Sequence, residues 1–331
     1  MTGPGEVLVE EVPEPVAEEG EVLVDMTSWG LCAGDVAAFK GTNVAIRFPL
    51  TLGHEGVGIV RHGATEIEPG TYVMVVPSLT CGQCTACQSG HENHCTKLVV
   101  MGVGNPNGLF RNTVSVPASQ LIAVSHEVGA IQGALIEPLA IAAHITGRTD
   151  VTHRDIAIIG TGVCGITSGI IASGLCAKVT MVDIVMDKAR IAAKVGLTDF
   201  VLNEGDLQSQ LLEGRKGFDI VIDTVGTKEV TDVAITVLRP GGVLVTVAAA
   251  APGRPLVVDY ATMYRKELSI IGTRNYTRAD FHHAIALLDS GEIDLRPIVT
   301  ARLPLTRALD GLLMLTEHPE DHVKILLESD I

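Results

Sequence analysis

The glycine-rich stretch near the middle of the chain, residues 156–183, constrains the fold more than any other part of the sequence. It begins with a short apolar run and passes through Gly160-x-Gly162-x-x-Gly165. It then continues as an uncharged segment of small residues, and ends with a second apolar run that closes on Asp183. This order predicts a strand, a tight turn, a helix and a second strand, which is the βαβ unit of a parallel sheet.

The glycine spacing matches what a bound dinucleotide requires. Gly160 permits the tight turn, Gly162 lets the backbone approach a pyrophosphate, and Gly165 lets the helix pack closely on the strand. The pyrophosphate then lies at the positive end of the helix. Asp183 follows Gly165 by 18 residues; there a carboxylate accepts hydrogen bonds from ribose hydroxyls and repels a 2′-phosphate, which favours NAD over NADP. The alternative is a buried βαβ unit without a ligand.

Length and charge narrow the class of protein. A chain of 331 residues favours two domains. Its formal net charge of −15 argues against a nucleic-acid partner, whose phosphates require basic stripes. Glutamates near the N-terminus predict that there is no signal peptide, and seven cysteines, five at metal-type positions, suit a reducing cytoplasm. Residues 156–177 carry no charge, but their glycines predict a buried α/β core rather than a membrane span.

Four cysteines form the most specific metal-binding pattern in the sequence. Cys81, Cys84, Cys87 and Cys95 follow the spacing C-x2-C-x2-C-x7-C. Four thiolates can close a tetrahedral site around one zinc ion and leave no position for water, which is typical of a structural site. An iron–sulfur cluster is the main alternative. No proline follows the last cysteine and the sequence has no second cysteine cluster, so the pattern favours zinc.

Two polar segments nearer the N-terminus carry candidate ligands for a second metal. They are Gly30-Leu31-Cys32, followed by Asp35, and Gly53-His54-Glu55. Cys, His and Glu all bind zinc, and two or three protein ligands with an open position are typical of a catalytic site. Taken singly, Cys32 is more often a small buried apolar residue, and His54 is more often a hydrogen-bonded core histidine.

The remaining patterns divide the chain into a β-rich part and an α/β part. Residues 7–77 and 113–124 show period-2 alternation, which predicts short strands. Glu137 then precedes Pro138 at a predicted helix start, where free amides favour a carboxylate. Beyond it we predict a six-stranded, doubly wound sheet, followed by a helix, a strand and a last helix. The six strands are expected at residues 156–160, 179–183, 200–203, 219–223, 243–247 and 269–273, the later helix and strand at 278–288 and 297–303.

Together these segments resemble the zinc-dependent medium-chain dehydrogenase/reductase family of the alcohol dehydrogenase superfamily, and within it the sorbitol, threonine and 2,3-butanediol dehydrogenases. The likeness follows the chain in order, and it includes Glu137-Pro138-Leu139 and Pro297-Ile298-Val299-Thr300. It implies an α/β fold made of a GroES-like β-rich catalytic domain and a Rossmann domain. The catalytic domain would span residues 1–143, with a structural-zinc lobe at 81–95, and 276–331; the NAD-binding domain would span 144–275. A homodimer or homotetramer is also implied.

The resemblance also assigns residues to the site. It implies a catalytic zinc held by Cys32 and His54, with Glu55 as a ligand or exchanging partner and Glu137 at or beside the metal. Asp35 would orient His54. With a structural zinc at the four cysteines, two zinc ions per chain are expected. The predicted cofactor contacts are Gly160, Gly162, Val163, Cys164, Gly165, Asp183, Ile184, Val225, Val247, Thr273 and Arg274.

Two positions depart from the family pattern. Relatives have Ser or Thr in place of Gly34 and often His in place of Ala37, so the usual side-chain relay for the alcohol proton is missing. The expected substrate pocket includes Trp29, Phe39 and Phe110.

The expected function is an NAD- and zinc-dependent oxidation of a secondary alcohol in a polyol, a cyclitol or an amino-alcohol. In it, zinc lowers the pKa of the substrate hydroxyl and the nicotinamide takes the hydride. The alternatives are a carbonyl reductase that runs the reverse reaction and a non-catalytic zinc- and nucleotide-binding relative.

Overall fold

In the computed structural model, which describes residues 1–63, 66–203, 205–247 and 257–329, the chain forms two units. The first unit contains Met1–Ala140 and Tyr276–Ile331, and the second contains Ile141–Asn275. The domain boundaries expected from the sequence fall after residues 143 and 275. In the structure, the chain leaves the first unit after Ala140 and returns to it at Tyr276.

The described residues form strands and helices, with strands more frequent in the first unit. The strands are β1 (Glu21–Leu31), β2 (Gly56–Gly63), β3 (Tyr72–Val75), β4 (Ser78–Leu79), β5 (Val99–Val100), β6 (Thr113–Pro117), β7 (Leu121–Ala123), β8 (Asp155–Ile159), β9 (Lys178–Asp183), β10 (Phe200–Leu202), β11 (Phe218–Asp223), β12 (Leu238–Thr246), β13 (Ser269–Gly272), β14 (Val299–Pro304) and β15 (Lys324–Glu328). The helices are α1 (Ala33–Phe39), α2 (Thr85–Gln88), α3 (His126–Gln132), α4 (Ile136–Thr146), α5 (Val163–Gly174), α6 (Met186–Lys194), α7 (Leu207–Leu212), α8 (Lys228–Val237), α9 (Tyr260–Lys266), α10 (Arg278–Asp289) and α11 (Ala308–Glu317).

Strand β1 organises the first unit. At 11 residues it is long enough to pair with two short strands in succession, β6 along residues 21–25 and β15 along residues 28–31, while β2 pairs with it over nearly its whole length. The sheet continues in the order β14-β15-β1-β2-β3-β7. Trp29 of β1 lies fully inside the core of this unit, and its Nε1 donates a hydrogen bond to the Leu109 carbonyl at 2.6 Å.

The structure of the first unit differs from the sequence-based expectations at three points. Among the described residues, the segment 7–20 contains no strand, because Pro13 and Pro15 lack the N–H that a ladder requires. Pro297 lies in a 3₁₀ turn, Arg296–Ile298, and the strand begins only at Val299. The last strand, β15, was not predicted at all, although it pairs directly with β1.

The second unit is a parallel sheet with the strand order β10-β9-β8-β11-β12-β13. Every strand pair in it is parallel. This confirms the prediction of a six-stranded, doubly wound sheet. The runs of apolar residues in β8, β9 and β11 are almost wholly buried, as expected for strands covered by helices on both faces.

One helical run in the described part of the chain is long and apolar enough to cross a membrane by length and composition alone. It is His126–Thr146, and 72% of its most apolar window is buried inside the structure, as in the core helix of a folded domain. The uncharged stretch 156–177 forms β8 and α5, and α5 is shorter than a membrane span.

Candidate metal centres and dinucleotide site

The pairing of β1 with β2 brings the first candidate ligands together. Cys32 follows the end of β1, while His54 and Glu55 precede the start of the antiparallel strand β2, and Trp29 lies opposite Gly56. Two chain segments that are 22 residues apart in sequence therefore meet at one end of the sheet. Ligand atoms of Cys32, His54 and Glu55 all lie within 4.8 Å of one another.

Asp35 supports this cluster from the first turn of α1. Its Oδ2 accepts a hydrogen bond from the Cys32 backbone N–H at 3.0 Å, which caps the helix and fixes the cysteine. Its Oδ1 lies 3.6 Å from His54 Nδ1. Burial lowers the pKa of His54, but the negative charges of Asp35 and Cys32 raise it by more, so that it lies well above its ordinary value.

The cluster suits a cation. Burial raises the pKa of the Cys32 thiol, because a buried thiolate is unfavourable. A positive charge nearby would stabilise the thiolate form. Among the described residues, Glu55 Oε1 is a buried carboxylate oxygen that makes no hydrogen bond. A buried carboxylate oxygen without a partner is costly, and thiolate, imidazole and carboxylate are the donors that zinc prefers. The three side chains therefore fit a zinc ion.

Lys324 completes the surroundings of Glu55 and was missed in the sequence. Its side chain is fully buried, its Nζ forms an ion pair with Glu55 Oε2, and the same Nζ donates to the Leu31 carbonyl at 3.1 Å. Burial lowers the pKa of Lys324, but the ion pair with Glu55 and the negative charges of Cys32 and Glu137 together raise it by more, so that it lies above its ordinary value. An added Cβ at Gly30 would overlap both Glu55 Oε2 and the lysine side chain, which explains the glycine there. The only sequence signal was a lone lysine before the apolar run Ile325-Leu326-Leu327.

Glu137 lies in the first turn of α4 and is buried, but it is not part of the group whose ligand atoms lie within 4.8 Å of one another. Burial and the charge of Glu55 raise its pKa to about 7. Its carboxylate shares a hydrogen bond with the buried Tyr276, the first residue after the chain returns from the second unit. Glu137 therefore neighbours the cluster, and its predicted role at the metal stays a prediction.

Gly34, one of the two positions that depart from the family pattern, lies beside the same cluster. A Cβ built at Gly34 would lie 3.3 Å from His54 Cε1 and 4.0 Å from Cys32 Sγ, so that a side chain here would touch both ligands. Of the residues expected in a substrate pocket, Phe39 and Phe110 are partly buried against the core. The prediction for Trp29 was wrong, because a side chain with no exposed surface cannot contact a substrate.

The four cysteines converge as predicted. Their sulfur atoms are separated by 3.9 Å (Cys81–Cys87), 3.5 Å (Cys84–Cys87) and 3.5 Å (Cys81–Cys95). A Zn–S bond of about 2.3 Å gives a tetrahedron with an edge of about 3.8 Å, which these separations match. The backbone N–H groups of Gln83 and Cys84 lower the pKa of the Cys81 thiol to about 6. The lobe therefore fits a closed, four-thiolate zinc site.

The glycine pattern adopts the geometry that a dinucleotide requires. Gly160 follows β8 with φ = +101°, a conformation that favours glycine, and a Cβ at Gly165 would overlap the Gly160 carbonyl. Gly162 caps the start of α5 and has open space around its Cα. Val163 and Cys164 form the first turn of that helix. The backbone can therefore approach a pyrophosphate at this helix N-terminus.

The other predicted cofactor contacts lie along one edge of the parallel sheet. Asp183 ends β9, and Ile184 follows it with 72% of its surface exposed. Val225, Val247 and Thr273 follow β11, β12 and β13 respectively, and Arg274 comes next. Because the carboxyl ends of parallel strands share an edge, these residues line the side where ligands bind in such sheets.

Comparisons with known proteins identify the family. Residues 18–126 match the alcohol dehydrogenase GroES-like domain, and residues 160–290 match the zinc-binding dehydrogenase domain. A relative, the 2-dehydro-3-deoxy-L-galactonate 5-dehydrogenase of Pseudoalteromonas atlantica, is 30% identical over 95% of this chain and 93% of its own length. The chain belongs to the zinc-binding dehydrogenase family. This confirms the predicted resemblance.

Two solved structures that are similar to this dehydrogenase contain a bound nicotinamide cofactor. A short chain alcohol dehydrogenase of E. coli CFT073, complexed with NADH, has a TM-score of 0.91 at 26% identity and covers 98% of this chain and 96% of its own. A zinc-binding dehydrogenase of Sinorhizobium meliloti 1021, bound to NADP, has the same TM-score and identity, with coverages of 99% and 97%. They confirm the α/β fold of GroES-like and Rossmann domains. The dehydrogenase is therefore a nucleotide-binding oxidoreductase, and the non-catalytic alternative is disfavoured.

Proposed function

We propose that this dehydrogenase uses NAD to oxidise a secondary alcohol of a polyol or sugar acid at the Cys32–His54–Glu55 cluster. The observation that carries the proposal is the buried, unpartnered carboxylate oxygen of Glu55, set beside a thiol and an imidazole. The relative from Pseudoalteromonas atlantica, whose name gives a sugar-acid substrate, supports the substrate class. A cyclitol or an amino-alcohol remains within the proposed class.

The residues of the cluster have distinct roles in this proposal. A zinc ion, when bound, supplies Lewis-acid activation of the substrate hydroxyl, and NAD accepts the hydride. Cys32 and His54 would hold the metal. The Asp35 carboxylate lies beside Nδ1 of the histidine and would orient its ring. Glu55 presents Oε1 to the cluster because Lys324 engages Oε2. Glu137, which shares a hydrogen bond with Tyr276, would add a further negative charge beside the cluster once it is ionised.

The route of the substrate proton supports a substrate with several hydroxyl groups. Gly34 supplies no hydroxyl beside the cluster, and Ala37 supplies no imidazole. The proton must therefore leave through water, through Glu55 or through a neighbouring hydroxyl of the substrate itself. A polyol brings such a hydroxyl, whereas a simple alcohol does not.

Asp183 supports NAD rather than NADP as the cofactor. Its carboxylate ends β9 at the ligand-binding edge of the sheet, where it would repel a 2′-phosphate. We also propose one structural zinc at the four cysteines, a second at the catalytic cluster, a homodimer or homotetramer and a cytoplasmic location. All seven cysteines lie in the described part of the chain and none forms a disulfide, which supports a reducing compartment.

The test is a screen for NADH formation over polyols, sugar acids, cyclitols and amino-alcohols, with Cys32→Ala as the matched inactive variant. We expect turnover with at least one polyhydroxylated substrate and a kcat/KM for NAD at least about tenfold above that for NADP, since a like charge worth about 1.4 kcal/mol gives that ratio. Zinc analysis should find two ions per chain in the wild type and one in Cys32→Ala. Two zinc ions and normal turnover in Cys32→Ala would refute the assignment of the cluster.

A further inference from the structure

Thr161 lies between the first two glycines of the dinucleotide-binding turn and has no exposed surface. Its backbone N–H donates to Asp183 Oδ2 at 2.7 Å, and its hydroxyl donates to the same oxygen. The contact follows from the sheet, because β8 and β9 are parallel neighbours and Ile159 lies opposite Val182. The turn after one strand therefore meets the carboxylate that ends the next.

The other carboxylate oxygen of Asp183 is also held. Oδ1 accepts hydrogen bonds from the backbone N–H groups of Ile184 at 2.7 Å and Val185 at 3.1 Å. Four donors thus hold the carboxylate in one orientation, while Asp183 itself remains half-buried at the surface. Three of these donors belong to the backbone and are present whatever the side chain at position 161. The hydroxyl of Thr161 is the one donor that depends on residue type.

We propose that Thr161 is a positioning residue that sets the selectivity for NAD over NADP by fixing the Asp183 carboxylate. The inference rests on the proposed function, because it presumes that Asp183 reads the ribose. Thr161 is buried and cannot touch a cofactor, so it acts through Asp183 alone. Both the acceptance of ribose hydroxyls and the repulsion of a 2′-phosphate require the carboxylate to stay in one place. Without the hydroxyl, the carboxylate loses a charge-assisted bond and is held less firmly, by the three backbone donors alone.

Thr180 offers a matched control on β9. It is buried like Thr161, and its hydroxyl donates to the carboxylate Oδ2 of Asp199 at 2.7 Å. Thr180→Val therefore removes the same kind of threonine–aspartate bond from the same sheet, three residues from Asp183, without touching it. Any effect of a lost buried hydroxyl on stability alone should appear in both variants.

The experiment measures the dissociation constants of NADH and NADPH by nicotinamide fluorescence for the full-length wild type, Thr161→Val, Thr161→Ser and Thr180→Val. We expect Thr161→Val to weaken NADH binding about five- to tenfold, the scale of one hydrogen bond, with NADPH changed less than about twofold. Thr161→Ser should keep the wild-type ratio because it keeps the hydroxyl. Thr180→Val should keep the ratio while its melting temperature falls about as much as that of Thr161→Val.

The outcomes separate the two proposals. A wild type that binds NADH and NADPH equally would overturn the NAD preference and this inference with it. A wild type that prefers NADH, with an unchanged ratio in Thr161→Val, would overturn the role of Thr161 alone. An equal loss of affinity for NADH and for NADPH in Thr161→Val would also overturn it. So would a Thr180→Val protein whose preference for NADH over NADPH falls as much as that of Thr161→Val. If Thr161→Val fails to fold, Thr161→Ala takes its place, and the inference stands only if Thr161→Ala lowers the preference for NADH over NADPH.

Discussion

Replacing Lys324 with methionine removes the positive partner of a fully buried ion pair. The lysine side chain is completely buried and that of Glu55 is 1% exposed, so water cannot replace the lost charge. Methionine keeps most of the side-chain volume, so that the change is mainly electrostatic. Breaking a buried pair on one side costs about 3–5 kcal/mol, because the remaining charge is left uncompensated.

The expected change in melting temperature depends on the size of the first unit, which contains both Lys324 and Glu55. The first unit has about 200 residues, and a domain of this size loses roughly 2–4 °C in melting temperature per kcal/mol. We therefore expect Lys324→Met to melt roughly 6–20 °C below the wild type. The double variant Lys324→Met/Glu55→Gln should recover most of that loss, since it removes the unpaired charge as well.

The assay is thermal unfolding of the metal-free protein, followed by circular dichroism, with Lys228→Met as the matched control. Lys228 pairs with Asp232 on the surface, where it is 61% exposed, and such a pair contributes less than about 1 kcal/mol. A Lys324→Met protein that melts within about 2 °C of the Lys228→Met protein would refute the reasoning. So would a double variant less stable than Lys324→Met alone.

Four further changes test other parts of the structure. Gly30→Ala should lower the melting temperature, because the added Cβ would overlap the Glu55 carboxylate; an unchanged value in thermal unfolding would contradict this. Gly165→Ala should abolish NADH binding in a fluorescence titration, since its Cβ would overlap the carbonyl of the first glycine of the turn, and wild-type affinity would be the contrary result. Cys84→Ser should lose one zinc ion by metal analysis while the other zinc remains, and a full complement of two would argue against the closed lobe. Burial raises the pKa of Glu137 to about 7, above its unfolded value, so the metal-free protein should lose up to about 3 kcal/mol of stability as the pH rises from about 4.5 through 7. Urea unfolding at pH 5 and pH 8 should show this loss in the wild type but not in Glu137→Gln, and equal pH dependence in the two proteins would contradict it.

Local patterns in the sequence were sufficient for much of the fold. The predicted strands of the second unit lie within a few residues of β8 to β11 and β13, and β12 begins five residues early, at Leu238. The four cysteines converge as their spacing implied. In both cases the information lies within a few residues of the feature itself: apolar runs bury both faces of a parallel strand, and short loops hold thiols close to one metal.

Only the tertiary structure decided which distant residues share a site. Lys324 lies 269 residues after Glu55 and reaches it because β15 pairs with β1 in one register. A second pairing, that of β1 with β2, places Trp29 in the core, whereas Cys32, three residues later, joins the metal cluster. The hydroxyl of Thr161 meets Asp183 only because β8 and β9 are neighbours. Strand partners and registers are selected by the free energy of the whole core rather than by any local pattern, and a shift of one residue would send every side chain of a strand to the opposite face.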